Sequence, residues 1–586
     1  MVPDYLAPTD LAVTPTRLGK VLLLGNCMFA PWIDFLAAER PEIEVRHATF
    51  GDAELVTAED QDYDLRLVQL PLRTLYPEQA VMQNRYDDLD SYDRALRRGY
   101  HWMRALIGQV GGASPDRPTF FLNFLHPQQS ALGRLLPRYD TRSPTFFIQR
   151  LNRMLYDAMA DYPGGHVLDI EQVAGTFGRH LMQDDAFWVL AHAGTITDYD
   201  FEQDRGRLEP EAPLSARYPR DVAGFVRASW NEAIAMLRTL RGTDRVKMIC
   251  VDLDDTLWRG VLAEAETIDQ HASEGAPLGF AEALMICKQR GIILAIVSKN
   301  DEARAAEILK QVFHNRVRID DFAIRKINWD PKPQNVAAAI REANVLPESV
   351  VYIDDNPVER AAVKALLPEV RMLGAPHLDW RRILLWSPET QVPEISTESA
   401  NRSEMVRAQV EREQDRETMT YADFLAELDL QVELEAIVST SDARFGRALE
   451  LINKTNQFNT TGERWTESGA ADFFDNGGRW WAFRVQDRYT AYGLVGLLLL
   501  QGEQIEQFVM SCRVFGLQVE RAVLTALRKL EPRIAYARLI ETSKNGPCRE
   551  VYAQAGWTRN GDIWAAGPVQ PLPNHVAIIL PESDVG

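Results

Sequence analysis

Cysteine is scarce in this sequence, and the five that occur, Cys27, Cys250, Cys287, Cys512 and Cys548, are widely scattered. That excludes a disulfide framework, and the lack of any CxxC pair or Cys/His cluster argues against structural zinc. No apolar run approaches the roughly 20 residues that a membrane helix needs, and the N-terminus lacks the basic-then-apolar pattern of a secretion signal. The expectation is a reducing cytoplasm and no membrane partner. Net positive charge is missing too: a formal charge of −20 speaks against a general nucleic-acid or anionic-membrane binder. The basic run Arg94-Ala95-Leu96-Arg97-Arg98 reads as the solvated face of a helix. Internal repeats and long low-complexity tracts are also absent, which removes solenoids.

What is present is an ordinary globular composition, 46% hydrophobic and 25% charged, over 586 residues. That length exceeds a single core and predicts two to four domains. After a Pro-containing leader, apolar runs at 20–25, 65–70, 119–124 and 166–170 alternate with helical stretches. They predict a first α/β domain over 1–242, closing in a helix near 223–240. A second α/β unit, 243–390, has strands around 247–252, 291–298 and 349–354. Residues 391–424 read as a solvated linker helix, since Glu and Arg interleave there at helical spacing. From 425 to 570 alternating strands and two helices predict an α+β domain with a hairpin around Asp487-Arg488-Tyr489, and the Pro-rich 571–586 reads as a tail. The fold class expected is therefore α/β multidomain.

The chemistry concentrates in the second unit. Ile249-Cys250-Val251-Asp252-Leu253-Asp254-Asp255-Thr256-Leu257-Trp258 sets paired carboxylates at the C-terminal end of a buried parallel strand, where open α/β sheets bind ligands. One carboxylate can attack phosphorus while its neighbour two residues on moves a proton, and a divalent cation makes their charge tolerable beside phosphate. Ser298, with Lys299 and Asn300, ends the next strand and can offer a hydroxyl and backbone donors to phosphate oxygens. Lys332, in Trp329-Asp330-Pro331-Lys332-Pro333, opens a helix and can neutralise phosphoryl charge. Asp354 and Asp355 end a third strand, and carboxylates from two strands make a hard oxygen site suited to Mg²⁺.

This ordered set resembles the haloacid dehalogenase superfamily of aspartyl phosphatases. The resemblance implies Asp252 as nucleophile, Asp254 as general acid/base, Ser298 and Lys332 as phosphate ligands, and Thr256, Lys299 and Asn300 near the substrate. It implies Mg²⁺ between Asp252, the carbonyl of Asp254 and Asp355, with Asp354 in support. The phrases Asp254 to Val261, Ser298-Lys299-Asn300-Asp301, Asp354 to Arg360, Asn453 to Asn459 and Ser511 to Gly516 are similar to the FkbH-like branch. Its members imply an SGNH-hydrolase-like first domain, a Rossmann-like core with minimal cap and a GNAT-like third domain. They take a glyceryl unit from 1,3-bisphosphoglycerate, remove phosphate and load the phosphopantetheine thiol of an acyl carrier protein in polyketide or related biosynthesis. Val297 stands where many relatives carry Cys, Arg259 where they often carry Gly, and Gln518 where an acetyltransferase loop has its second glycine.

Four further residues are candidates for acyl-carrying or pantetheine-site roles: Cys27, Cys512, Arg513 and Asn456. Cys27 occupies the place of an SGNH nucleophile, with Asn123 and Asp169 as companions, against a purely structural thiol. Asn453 to Asn459 either lines a carrier-arm site or caps a helix. His126 is a candidate base or a capping histidine. Two other functions fit the same residues: a Mg²⁺-dependent small-molecule phosphatase, and a non-catalytic docking protein of a biosynthetic assembly.

Overall fold

The computed structural model describes residues 10–51, 62–76, 85–112, 117–129, 132–183, 204–209, 212, 216, 219–261, 270–395, 402–542 and 544–580. The Pro-containing leader through residue 9 and the stretch 262–269, within the expected minimal cap, lie outside them. The chain divides into two compact units, Met1–Val246 with Leu378–Glu394, and Lys247–His377 with Ile395–Gly586.

The first unit is built on five parallel strands, β1 Lys20–Gly25, β2 Glu44–Thr49, β3 Leu65–Gln69, β4 Thr119–Leu122 and β5 Gly165–Leu168. Their order is β2-β1-β3-β4-β5. β1, β3 and β4 are nearly continuous apolar runs because both faces are covered by helices. β2 escapes a reading by apolar runs: its sequence EVRHAT lies at the sheet edge and is mostly half-buried. The helix Leu89–Gln109 buries Ala95 and Leu96 and exposes Arg94, Arg97 and Arg98, so the basic run is a solvated face.

Residues 378–390, assigned from sequence to the second domain, and 391–394, assigned to the linker, belong to the first unit instead. The reason is a buried charge cluster. Arg238, in the helix Val222–Arg241, donates Nε to Glu389 at 2.9 Å and Nη2 to Asp244 at 2.7 Å. Its Nη1 donates to the carbonyl of Thr14 at 2.7 Å.

The second unit holds two sheets. One has five parallel strands, β6 Met248–Val251, β7 Ile293–Ser298, β8 Ile324–Ile327, β9 Val350–Ile353 and β10 Arg371–Leu373, in the order β10-β9-β6-β7-β8. The centre, β6, β7 and β9, is fully buried and apolar, which is why those strands are legible in the sequence. The edge strands β8 and β10 are short and carry Arg325, Lys326 and Arg371, the usual edge composition.

The other sheet is mixed: β11 Leu430–Ile437, β12 Arg479–Gln486, β13 Ala491–Gln501, β14 Gln504–Met510, β15 Tyr536–Arg538, β16 Thr558–Asn560, β17 Ile563–Ala565 and β18 Val576–Ile579. The order is β16-β17-β15-β14-β13-β12-β11-β18. The hairpin turns where expected, Asp487 N–H donating to the Thr490 carbonyl at 3.0 Å. β18 corrects the reading of 571–586 as a tail: Leu430 to Glu433 pair in parallel with Val576 to Ile579. Four residues behind a proline-rich approach are too short a signal for a strand, and only pairing with β11 makes them one.

The expected linker helix also differs from its reading. Arg402–Thr418 is a helix, but Val406 and Val410 pack into the core around β6, β7 and β9. Arg412, 4% exposed, lies over the Tyr492 ring and its Nη2 donates to the carbonyl of Arg513 at 3.3 Å. Its apolar residues are few, so a helix buried through arginine stems and ion pairs looks solvated in sequence. Residues 396–401 of that stretch lie outside the described residues.

Candidate active site

Every element of the β6–β9 sheet delivers its polar residue at the same edge, because parallel strands end together. Val251 pairs with Ile353 and Ile296, so Asp252 emerges beside Asp354 on one side and Ser298 on the other. The backbone N–H of Asp252 donates to the Ile353 carbonyl at 3.0 Å, fixing that register to its last residue.

Lys332 opens the helix Lys332–Glu342 and is 5% exposed. Its Nζ lies 2.9 Å from Asp252 Oδ2 and 2.7 Å from Asp354 Oδ2. The hydroxyl of buried Tyr352 donates to that same Asp354 oxygen, and the backbone N–H of Asn356 donates to Asp354 Oδ1 at 2.8 Å. Asp354 therefore meets donors on both of its oxygens. Asp252 is not: its Oδ1 is buried and accepts no hydrogen bond. Leaving a carboxylate oxygen bare and dry is costly unless something positive meets it.

Carboxylate oxygens of Asp252, Asp354 and Asp355 fall within 4.8 Å of one another. Asp355 is exposed, and its backbone N–H donates to Thr256 Oγ1 at 3.1 Å, while that hydroxyl donates to Asp355 Oδ1 at 3.3 Å. Three hard oxygen donors, one of them orphaned, fit a divalent cation of the Mg²⁺ type.

Burial pushes the Asp252 carboxyl up to about 6, with Lys332 opposing and the charge of Asp354 adding to the rise. Burial works against the Lys332 ammonium as well, yet Asp252 and Asp354 together hold its pKa above the ordinary lysine value. Asp355 is raised by burial and by Asp354. A cation at this point favours the ionised form of all three carboxylates.

Asp254 is held apart from this cluster by neutral donors. Trp258 Nε1 donates to its Oδ1 at 3.2 Å, and Asn300 Nδ2 to its Oδ2 at 3.1 Å. Asn300 also donates to Ser298 Oγ at 3.0 Å, joining the proton-handling candidate to the hydroxyl. Lys299 turns away to an ion pair with Glu359 at 2.7 Å. Tyr352 and Trp258 are members of the site that had no role from sequence. The signal for Tyr352 was its place two residues before Asp354, which puts both side chains on one face of the strand.

The remaining candidates lie elsewhere. Cys27 follows β1 in the first unit, exposed at the start of a short 3-10 turn capped by Asn26. Asn123 Nδ2 donates to Asp169 Oδ1 at 2.7 Å there, and His126 pairs with Glu171 at 2.5 Å. Cys512 is exposed and accepts from Asn344 Nδ2 at 3.6 Å. Arg513 spends its guanidinium on the Tyr492 carbonyl at 3.1 Å and the Ser511 hydroxyl at 3.1 Å. Gln518 sits at φ 60°, in the left-handed region that favours the glycine it replaces.

The run Asn453 to Asn459 is a brace. Asn453 pairs with both backbone groups of Trp465, and Asn456 accepts from Arg464. β14 pairs with β15 only at Gln504 and Ile505. Past that point Phe458 and Thr460 fill the opening: Met510 N–H donates to the Phe458 carbonyl at 3.0 Å, and Ile540 N–H to the Thr460 carbonyl at 2.7 Å.

Among known proteins, residues 276–366 match the model of haloacid dehalogenase-like hydrolases. The match covers Ser298, Lys332, Asp354 and Asp355 and begins downstream of Asp252. No curated protein matches the chain significantly. Similar solved structures include the N-terminal part of a Bacteroides fragilis protein containing a phosphatase domain, complexed with Mg. It is 19% identical, covers 65% of this chain and 94% of its own, with a TM-score of 0.44. The 3-deoxy-D-manno-octulosonate 8-phosphate phosphatase of Moraxella catarrhalis, with magnesium, phosphate and sugar bound, is 19% identical over 31% of this chain and 96% of its own, TM-score 0.16. A HAD subfamily III A hydrolase of Legionella pneumophila is 14% identical over 31% of this chain and 99% of its own, TM-score 0.18. The match, lying on the parallel sheet β6–β10, gives the chain a haloacid dehalogenase-like hydrolase domain within an α/β multidomain architecture.

Proposed function

We propose that the chain is an FkbH-like glyceryl transferase and phosphatase. It dephosphorylates 1,3-bisphosphoglycerate, or a related acyl phosphate, and loads the glyceryl unit onto the phosphopantetheine thiol of an acyl carrier protein. The observation that carries the phosphoryl half is Asp252 itself: its Oδ2 is held against Lys332, its buried Oδ1 is bare, and the carboxylates of Asp354 and Asp355 lie beside it.

An oxygen of Asp252 attacks phosphorus while the ester oxygen leaves with a proton from Asp254. Asp254 then takes a proton from the water that hydrolyses the aspartyl-phosphate, and inorganic phosphate departs. Lys332 and Ser298 hold the phosphoryl oxygens as their charge grows. Asp252, Asp355 and the carbonyl of Asp254 would hold Mg²⁺, with Asp354 keeping Lys332 in place. Its chemistry there is charge neutralisation. The acyl phosphate is the second bond: a carrier thiol attacks its carbonyl carbon and expels inorganic phosphate, forming the thioester. An SGNH-like first unit and a GNAT-like β11–β18 region belong to this reading, which places the protein in the cytoplasm. The parallel order β2-β1-β3-β4-β5 and the β14-to-helix loop support them.

Intact mass spectrometry of a holo carrier protein, incubated with the enzyme, Mg²⁺ and 1,3-bisphosphoglycerate, tests the transfer. A glyceryl mass increment is expected, and an unchanged carrier rejects it. A Mg²⁺-dependent small-molecule phosphatase is the second reading, favoured by Val297 beside Ser298 where a thiol is wanted for a covalent acyl relay. It predicts phosphate release with no thioester. Mg²⁺-dependent hydrolysis of any phosphate ester rejects the third, a docking protein.

A further inference from the structure

We infer that Trp329 is a specificity-determining residue: its indole is the face against which the organic part of the substrate, beyond the phosphate, is laid. The inference rests on the phosphatase half of the proposed function.

Trp329 is 70% exposed, and its indole makes no ring contact and donates to no protein group among the described residues. A lone exposed aromatic on a surface usually needs no explanation. This one is braced at both ends by the site. The N–H of Asn328 donates to the carbonyl of Ser298 at 3.1 Å. Asn328 Oδ1 accepts from the Asp330 N–H at 3.0 Å and from Asn335 Nδ2 at 2.8 Å, and Asn335 lies buried on the Lys332 helix. Pro331 then leads directly into Lys332. The indole thus starts one residue, about 3.8 Å along the chain, from a group bonded to Ser298. Three residues later the chain places the ammonium on Asp252. The backbone that carries this large apolar side chain is fixed before any ligand arrives, which lowers the ordering cost of using it as a binding face.

The opposite rim is apolar as well. Val358, 73% exposed, lies in the first turn of the helix Pro357–Leu366, four residues after Asp354. β8 and β9, which deliver these two side chains, flank β6 and β7. At ordinary strand spacing the C-terminal ends of β8 and β9 lie about 14 Å apart, with the ends of β6 and β7 between them. A floor of buried charge under an apolar rim selects a phosphomonoester whose apolar or flat group lies several bonds beyond the ester oxygen. A phosphoester carried at the end of an extended amide-rich arm is of that class and gains this contact, which a short polar ester is turned over without.

The test compares propyl phosphate with 3-phenylpropyl phosphate, two esters of the same leaving-group chemistry, on the full-length wild type, Trp329→Ala and Trp329→Phe. Wild type is expected to favour the phenyl ester about tenfold in kcat/KM, mostly through KM. Trp329→Ala collapses that ratio towards one, and Trp329→Phe keeps most of it. A wild-type ratio near one, or an Ala variant that lowers both substrates by the same factor, overturns the inference while the phosphatase reading stands. Hydrolysis of neither ester by wild type overturns that reading, and the role of Trp329 with it.

Discussion

Lys332 sits 2.7 Å from Asp354 in a place where both side chains are buried, and the same ammonium reaches Asp252 at 2.9 Å. The arrangement solves two problems at once. It neutralises two carboxylates that would otherwise repel each other, and it aims a positive charge at the point where a phosphoryl group would gain negative charge.

Removing that ammonium should be felt in folding as well as in chemistry. Lys332→Ala leaves Asp252 and Asp354 buried without their cation, and breaking such a pair costs about 3–5 kcal/mol. Denaturant unfolding of the variant measures it. Adding Asp354→Asn in the same chain is expected to recover part of the loss, and a double variant as unstable as the single one contradicts the coupling.

Tyr352 is the third donor to this network, with burial and Asp354 both raising its pKa. Tyr352→Phe deletes one donor to a charged group, and about 1–3 kcal/mol of stability is expected to go with it. Equilibrium unfolding of the two proteins compares them directly. A shift no larger than that of a surface substitution rejects this role.

Acid stability of the first unit has a specific source. Burial pushes the Asp244 carboxyl up, but the Thr14 and Val13 backbone N–H groups, the Thr14 hydroxyl and Arg238 hold it down at about 2. A folded pKa below the unfolded one stabilises the fold above about pH 4, and that contribution is lost as pH falls through about 2. Asp244→Asn is expected to lower stability at neutral pH and to flatten its dependence on pH over this acid window. An unchanged pH dependence contradicts the assignment.

The C-terminal strand predicts a truncation effect. Ending the chain at Asn574 deletes β18, uncovers one edge of β11 and removes buried Val576, and it breaks the His575 contact to the Leu517 carbonyl at 3.0 Å. A loss of at least about 2 kcal/mol is expected from calorimetry or denaturant melts. A tail without structure would be removed at no cost.

The sequence was most readable where burial is complete. β6, β7 and β9 are unbroken apolar runs, and each ends on a residue of the site, so both the strands and Asp252, Ser298 and Asp354 could be picked out together. Reading failed at edges and seams. β2, β8, β10 and β18 are short or polar because one side pairs with no strand, and the 402–418 helix is held by Arg412 and Arg stems instead of a leucine stripe. The internal wiring of the site was less legible: that Asp354 meets donors on both oxygens while Asp252 Oδ1 is bare depends on Tyr352, signalled only by its place two residues before Asp354, and on the backbone N–H of Asn356. Asn453 to Asn459 stood open between a helix-capping loop and a carrier-arm site; Asn453 is spent on the Trp465 backbone, Asn456 on Arg464 and Asn459 on Gln507 and on backbone groups.

The most direct test of the central claim is Mg²⁺-dependent phosphate release by wild type and by Asp252→Asn, with circular dichroism to confirm that both are folded. Wild type is expected to release phosphate from a simple monoester only with the cation present, and the variant to lose at least about a thousandfold in rate. Turnover by a folded Asp252→Asn protein at the wild-type rate would contradict the account.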